Sequence, residues 1–323
     1  MGIVSKRTAR RHTLALLFAS GVLAAAGAPA PAVAQAAQEI RIGYQKYGTL
    51  TLLKGRGTLE QRLAASNIKV KWTEFPAGPQ LLEGLNVGSV DFGTVGEAPP
   101  IFAQAAGANL VYVGNEPPSP ASEAIVVPKS STVRSVAELK GKKIALNKGS
   151  NVHYLLVKAL EKAGIDYKDV QVVYLPPADA RAAFERGSVD AWVIWDPFLA
   201  AAEKQIGARV LADGKGLVAN YQFYLAARPY AEKNREVLRI VLEEIAKVDD
   251  WGAKNPKEVA AILAAQTGLD TEVVALAAAR YAYGVKPISA AVLEQQQKVA
   301  DAFASLKLIP KAIVVKDAQL RPQ

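Results

Sequence analysis

The chain contains no cysteine, which excludes disulfides, thiolate catalysis, zinc–thiolate sites and lipid attachment at a cysteine. Histidine is nearly absent too, with only His12 and His153, and neither belongs to a His or carboxylate cluster at metal-ligand spacing. No block of five or six like charges occurs and arginines do not alternate with aromatics, so nucleic acid is not an expected partner. A G-x-S-x-G elbow is missing, and Gly55-x-Gly57 is not completed to a phosphate-binding fingerprint. No metal or cofactor is expected.

What is present begins with Lys6, Arg7, Arg10 and Arg11, followed by an apolar stretch from Leu14 to Ala26 and small residues at Ala32-Val-Ala34. That stretch is shorter than the roughly 20 residues a membrane-spanning helix needs. The pattern is that of a secretory signal over residues 1–34, cleaved after Ala34 or Ala36. Arg10-Arg11 leaves the twin-arginine route open beside the general secretory one. The four basic residues leave with the signal and take the formal charge from +9 to +5, a mildly basic balance that suits an anionic ligand without specifying one. A periplasmic, monomeric, soluble protein is the expectation.

At 323 residues the chain exceeds what a single core supports, so two domains are expected. A hydrophobic share of 50% and a charged share of 21% belong to an ordinary globular protein. After the signal, residues 39–44 and 70–75 read as strands with helical sequence between them. A short helix at 79–87, a buried strand at 90–95, a helix after Pro99-Pro100, and strands at 110–114 and 124–127 follow. The same order returns from Val133. A capping box at Ser135 precedes a strand at 143–146, a helix runs from Ser150 to Gly164, and a strand spans 170–175. A helix at 178–184, a buried strand at 189–195, a helix from Pro197 and a strand at 209–211 complete the second round. Four helices, at 232–251, 256–266, 271–282 and 289–306, form a tail expected to pack back on the first lobe.

One short device occurs twice, as Gly88-Ser-Val-Asp91 and Gly187-Ser-Val-Asp190. Each copy ends a helix and opens an apolar strand. Alternating strands and helices give a mostly parallel sheet, and ligands collect beyond the carboxyl ends of such strands. Two lobes of this kind, 35–127 plus 222–323 and 128–221, joined by crossings near Val127 and over 214–222, would enclose one cleft.

Helix starts can hold an oxyanion through unpaired amides. Three face the inferred cleft: Gly96-Glu97-Ala98 with the neighbouring Thr94, Gly149-Ser150-Asn151-Val152, and Asp196 before Pro197. Ordinary capping is the alternative reading of each. Tyr44-Gln45, Trp192 and Trp195 end strands and either face the cleft or pack in the core; Glu116 ends another strand. Phe223-Tyr224 either lines the hinge or fills it. His153, in the first turn of a helix, has a structural reading ahead of a catalytic one.

The blocks "RIGYQK", "EFPAGPQLLEGLNVGSVDFGTVGEAPPIFAQAAGANLVYVGNEPP", "ALNKGSNVH", "PADARAAFERGSVDAWVIWDPF" and "FYLAARPYAEKN" resemble the periplasmic aliphatic sulfonate-binding proteins of ABC importers over about Glu39 to Pro310. Nitrate-, taurine- and thiamine-precursor-binding relatives share parts of these blocks. The resemblance implies an α/β type II periplasmic binding protein, its two lobes with mixed, mostly parallel sheets joined by a two-segment hinge. It also implies an alkanesulfonate ligand and delivery to a membrane permease with its ATPase. On it, the sulfonate lies between the Gly96 turn and Ser150-Asn151-Val152, with Gln45, Trp195 and Asp196 lining the cleft. Two departures stand out, because Val95 and Val152 occupy places where the group tends to carry hydroxyls. An enzyme on the same fold, or a hydrolase built on His153, is the rival class.

Overall fold

The computed structural model describes residues 38–320, and the expected signal segment lies outside them. The first round of elements is β1 (Gln38–Tyr44), α1 (Gly48–Arg56), α2 (Thr58–Ala64), β2 (Ile68–Glu74), α3 (Gly78–Asn86), β3 (Phe92–Gly96), α4 (Pro99–Ala105) and β4 (Leu110–Asn115). After a crossing over 116–122 come β5 (Glu123–Val127), β6 (Lys143–Leu146), α5 (Asn151–Lys162), β7 (Gln171–Tyr174), α6 (Pro177–Glu185), β8 (Ala191–Trp195), α7 (Phe198–Gln205) and β9 (Arg209–Asp213). The chain returns over 214–221 into β10 (Gln222–Ala227). It ends with α8 (Arg228–Lys233), α9 (Arg235–Gly252), α10 (Pro256–Thr267), α11 (Thr271–Arg280) and α12 (Ala290–Ser305).

Two five-stranded sheets result, ordered β2-β1-β3-β10-β4 and β7-β6-β8-β5-β9. In each, the first three strands are parallel neighbours and one antiparallel strand is inserted, β10 in the first sheet and β5 in the second. Both inserted strands adjoin the crossings. This corrects one expected boundary: β5 pairs with β8 and β9, so residues 123–127 belong to the second sheet and the chain crosses before them, not near Val127. The central strands β3 and β8 are buried along their whole length, as parallel strands covered on both faces require.

The repeated Gly-Ser-Val-Asp is scaffold. Gly88 and Gly187 adopt φ of 74° and 69°, left-handed values that only glycine takes at little cost, and each stops its helix. Ser89 N–H then reaches back to Gly84 O at 2.8 Å and Ser188 N–H to Ala183 O at 2.9 Å. The aspartates lock the next strand to its parallel neighbour, β1 in the first sheet and β6 in the second. Asp91 accepts from Arg41 N–H at 2.9 Å and Asp190 from Lys143 N–H at 2.8 Å, at matching places in the two sheets.

One apolar cluster runs from Val95 and Ile101 through Ile125 to Leu155 and Trp192, so side chains from both sheets share a core. The helical tail touches both sides as well, which revises the expectation that it packs on the first lobe. α9 and α10 lie on α1, but α11 packs Val273 and Ala277 against Ala200 and Ala201 of α7. From α12, Phe303 meets Phe102 at 4.8 Å and His153 at 5.3 Å. The capping box expected at Ser135 does not form: one 3-10 turn follows, Val136–Leu139, and the Ser135 hydroxyl donates to the Glu138 carboxylate at 2.9 Å and caps no amide. Among the described residues no single helix is long and apolar enough to cross a membrane.

Candidate functional site in the cleft between the sheets

Strands β1, β3 and β8 end at the same place, a narrow cleft with a free volume of ≈ 10 Å³. The first sheet supplies Gln45 after β1, Gly96 at the end of β3, and Gly78 and Pro99 at the starts of α3 and α4. The second supplies Trp195 at the end of β8 and Ser150 and Asn151 at the start of α5. Ser122 and Asn220 come from the two crossings, Gln222 from the start of β10, and Tyr47 completes the wall. No lysine or arginine is in this lining. Among the described residues, no group of three or more His, Cys, Asp or Glu stands together to hold a metal ion.

The start of α5 is the cleft's most polar feature. Ser150 precedes the helix with extended backbone, yet its hydroxyl donates to Asn147 O at 2.7 Å and caps no helix amide. The first amides of this 12-residue helix therefore have no side-chain acceptor. Asn151 is held from two sides, its Nδ2 donating to the Glu123 carboxylate and to Asn220 Oδ1 at 3.0 Å. Asn220 in turn donates to Ser119 O at 2.9 Å and Ser122 Oγ at 3.2 Å, tying the two crossings together. Gln45 is steadied by donating to Thr94 O at 3.2 Å.

Of the residues expected at the site, Gln45, Gly96, Ser150, Asn151 and Trp195 are brought together. The others lie elsewhere. Thr94 reaches the cleft only through the carbonyl that fixes Gln45. Val152 is fully buried in the core and leaves only its amide near the helix start. Glu97 turns its carboxylate away from the cleft to accept from Tyr221 N–H at 3.2 Å. Asp196 is 0% exposed; it caps α7 at Ala200 N–H (3.0 Å) and faces Arg280 at 3.4 Å, so it fills the helix start that an anion would need. The α4 start, expected to offer amides, opens with two prolines that have none beyond Ala98. Trp192 packs on Phe184 at 5.9 Å, Phe223 on Tyr112 at 5.0 Å, and Tyr224 on Phe92 at 5.8 Å, all in the core. Tyr224 also donates to Glu116, which is buried beside Thr49. Tyr44 sits edge-on to Trp72 at 5.9 Å.

Tyr47, Gly78, Pro99, Ser122, Asn220 and Gln222 line the cleft without having been singled out from sequence. A usable signal existed for one of them, since Asn220 lies in the crossing "KGLVANYQF" as a polar residue between apolar ones. His153 is a strut. It is 0% exposed, its Nδ1 accepts from Gly149 N–H at 3.3 Å, and its Nε2 pairs with Tyr167 OH at 2.7 Å. Burial pushes it down to about 3, so it is neutral and holds the loop before α5.

A family profile described as "NMT1/THI5 like" matches residues 64–259. A protein of Escherichia coli (strain K12) named for aliphatic sulfonates binding is 48% identical over 287 residues, 88% of this chain and 89% of that protein. The chain belongs to the NMT1/THI5-like family. Among solved structures, the alkanesulfonate-binding protein SsuA from Xanthomonas axonopodis pv. citri bound to MOPS matches at TM-score 0.84 and 45% identity, over 88% of this chain and 98% of that one. The periplasmic aliphatic sulphonate binding protein SsuA from Escherichia coli matches at TM-score 0.80 and 47% identity, over 88% and 93%.

In this NMT1/THI5-like chain the polar wall is backed by buried carboxyls. Burial pushes Glu97 up to about 7 and Glu123 well above the usual range, the charge of Glu97 adding to the latter. Glu97 gives a testable pH dependence. Its value in the fold lies above the 4.5 of an unfolded chain, so the stability it contributes is complete below pH 4.5 and is lost as pH rises to about 7. Glu97→Gln removes that loss. Relative to the parent, the variant should gain on the order of 3 kcal/mol between pH 4.5 and 7. Denaturant unfolding at pH 4.5, 6 and 8 reads it, and a difference that does not change with pH would reject the assignment.

Proposed function

We propose that the chain is a periplasmic solute-binding protein that captures an organic sulfonate in this cleft and delivers it to an ABC permease for sulfur acquisition. The observation that carries the reading is the start of α5, uncapped by any side chain, whose first amides and helix dipole meet the neutral side-chain amides of Gln222 and Gln45 in a cleft lined by no basic side chain. A sulfonate spreads one negative charge over three oxygens, which suits several neutral donors better than one strong cation. The relatives named for sulfonates support the ligand class, and one of them is described with MOPS, itself an organic sulfonate.

The two sheets would act as lobes, closing on the ligand by rotation about the crossings 116–122 and 214–221, where Asn220 links both strands of the hinge. No chemical step is part of this reading, because the sole histidine of the described chain is neutral, buried and engaged at both nitrogens. The test is calorimetry on the processed protein with ethanesulfonate, taurine, sulfate and nitrate. Saturable one-to-one binding of ethanesulfonate, with a dissociation constant on the order of 1 μM, is expected. Tight nitrate or taurine binding without ethanesulfonate binding would move the chain to a sibling specificity.

A further inference from the structure

We propose that the preferred ligands are sulfonates bearing a flat ring, the ring lying in an aromatic and proline-walled vestibule that opens directly off the anion cleft. This rests on reading the cleft as a sulfonate site.

The vestibule is a space of ≈ 320 Å³ that shares Gln45, Tyr47 and Trp195 with the cleft, so a ligand anchored at α5 projects into it. Its walls come from both sides. Phe75 and Pro76 follow β2 on the first side; Pro176 precedes α6, Pro177 opens it, and Phe198 opens α7, on the second. Trp195 stands edge-on to Phe198 at 6.0 Å and 85°, leaving aromatic surface along the passage. Proline and aromatic walls are rigid, so little side-chain freedom is lost when a ring packs on them, and ring faces and edges match their quadrupoles. A long flexible chain would lose far more freedom for the same contact.

The rim does not favour a charged tail. Lys46 and Glu74 face each other at 3.6 Å, and the second Glu74 oxygen accepts from Tyr44 OH at 3.4 Å. An ammonium at the end of a short tail, as in taurine, therefore meets no unpaired carboxylate there. A larger groove of ≈ 530 Å³ beside Phe102, Tyr174 and Leu308 shares only Pro99 with the cleft and only Pro176 with the vestibule.

Calorimetry with methanesulfonate, benzenesulfonate and taurine tests the proposal. Benzenesulfonate should bind about tenfold or more tightly than methanesulfonate, and taurine more weakly than either. Phe198→Ala should reduce the benzenesulfonate-to-methanesulfonate ratio several-fold. Ala178, exposed at the start of α6 in the vestibule wall, gives a second variant that does not touch the core. Ala178→Trp should crowd the ring and lower the same ratio. Equal affinities for methanesulfonate and benzenesulfonate, or ratios unchanged in both variants, would overturn the proposal while leaving sulfonate binding in place. Failure of every sulfonate to bind would overturn the sulfonate reading, and this proposal with it.

Discussion

Gly96→Ala is expected to weaken sulfonate binding by roughly 10- to 100-fold while leaving the protein folded. A Cβ at this position would lie 2.6 Å from Asn151 Oδ1, 2.8 Å from its Cγ and 3.0 Å from its Cβ. All three atoms belong to one residue on the opposite side of the cleft. Asn151 has little room to withdraw, because its amide is donated to Glu123 and Asn220 and its Cβ is fixed by the first turn of α5. The cheap escape is for the two sides to part, which opens the cleft and separates the α5 amides from Gln45 and Gly96. Affinity falls by the free energy of that opening, since the closed form becomes a smaller fraction of the population. Calorimetry of binding and thermal unfolding without ligand distinguish the two effects. A variant that binds as tightly as the parent would show that the close approach of Gly96 to Asn151 is not part of the bound state.

Arg280→Ala should cost about 3 kcal/mol of stability near pH 8 and distinctly less near pH 5. Arg280 projects from α11 between two carboxylates, donating to Glu203 at 2.6 Å and facing Asp196 at 3.4 Å. Asp196 is wholly buried, and burial raises it to about 7 against the opposing pull of Arg280. Without the guanidinium its value rises further. The sign follows from comparing states. A carboxyl raised above its unfolded 3.8 contributes fully below pH 3.8 and loses that contribution as pH climbs through its folded value. At pH 5 Asp196 is mostly protonated in parent and variant alike, so little separates them. At pH 8 the parent holds a paired carboxylate and the variant either an isolated buried charge or a proton bound against the solvent. Unfolding in denaturant at the two pH values measures the difference. An equal loss at both would assign the effect to packing of α11 on α7 and not to the ion pair.

Much of the architecture was readable before any coordinates. The buried runs at β3 and β8, the glycines that stop α3 and α6, and the aspartates that follow them repeat in sequence because each sheet needs the same junction. The five expected residues that the fold brings together in the cleft share one property: they stand where a strand ends or a helix begins, and that position is written in local pattern. The expected residues that lie outside the cleft lining also share a cause. Glu97 and Asp196 sit at the right junctions, but which way a carboxylate turns depends on distant partners, Tyr221 for one and Arg280 for the other. Residue separations of more than eighty positions leave no trace in a local pattern.

The sequence by itself therefore determined the alternation of strands and helices, the two-fold repeat of its scaffold device, and the family-like blocks that surround the cleft. Tertiary structure alone decided that β5 crosses into the second sheet, that Ser122 and Asn220 from the two crossings and Gln222 from β10 join the wall, and that no side chain caps the start of α5 while Asp196 fills that of α7. The physical reason is that periodicity and capping act over a few residues, whereas the cleft is made by chain ends of strands that meet only after both sheets have formed.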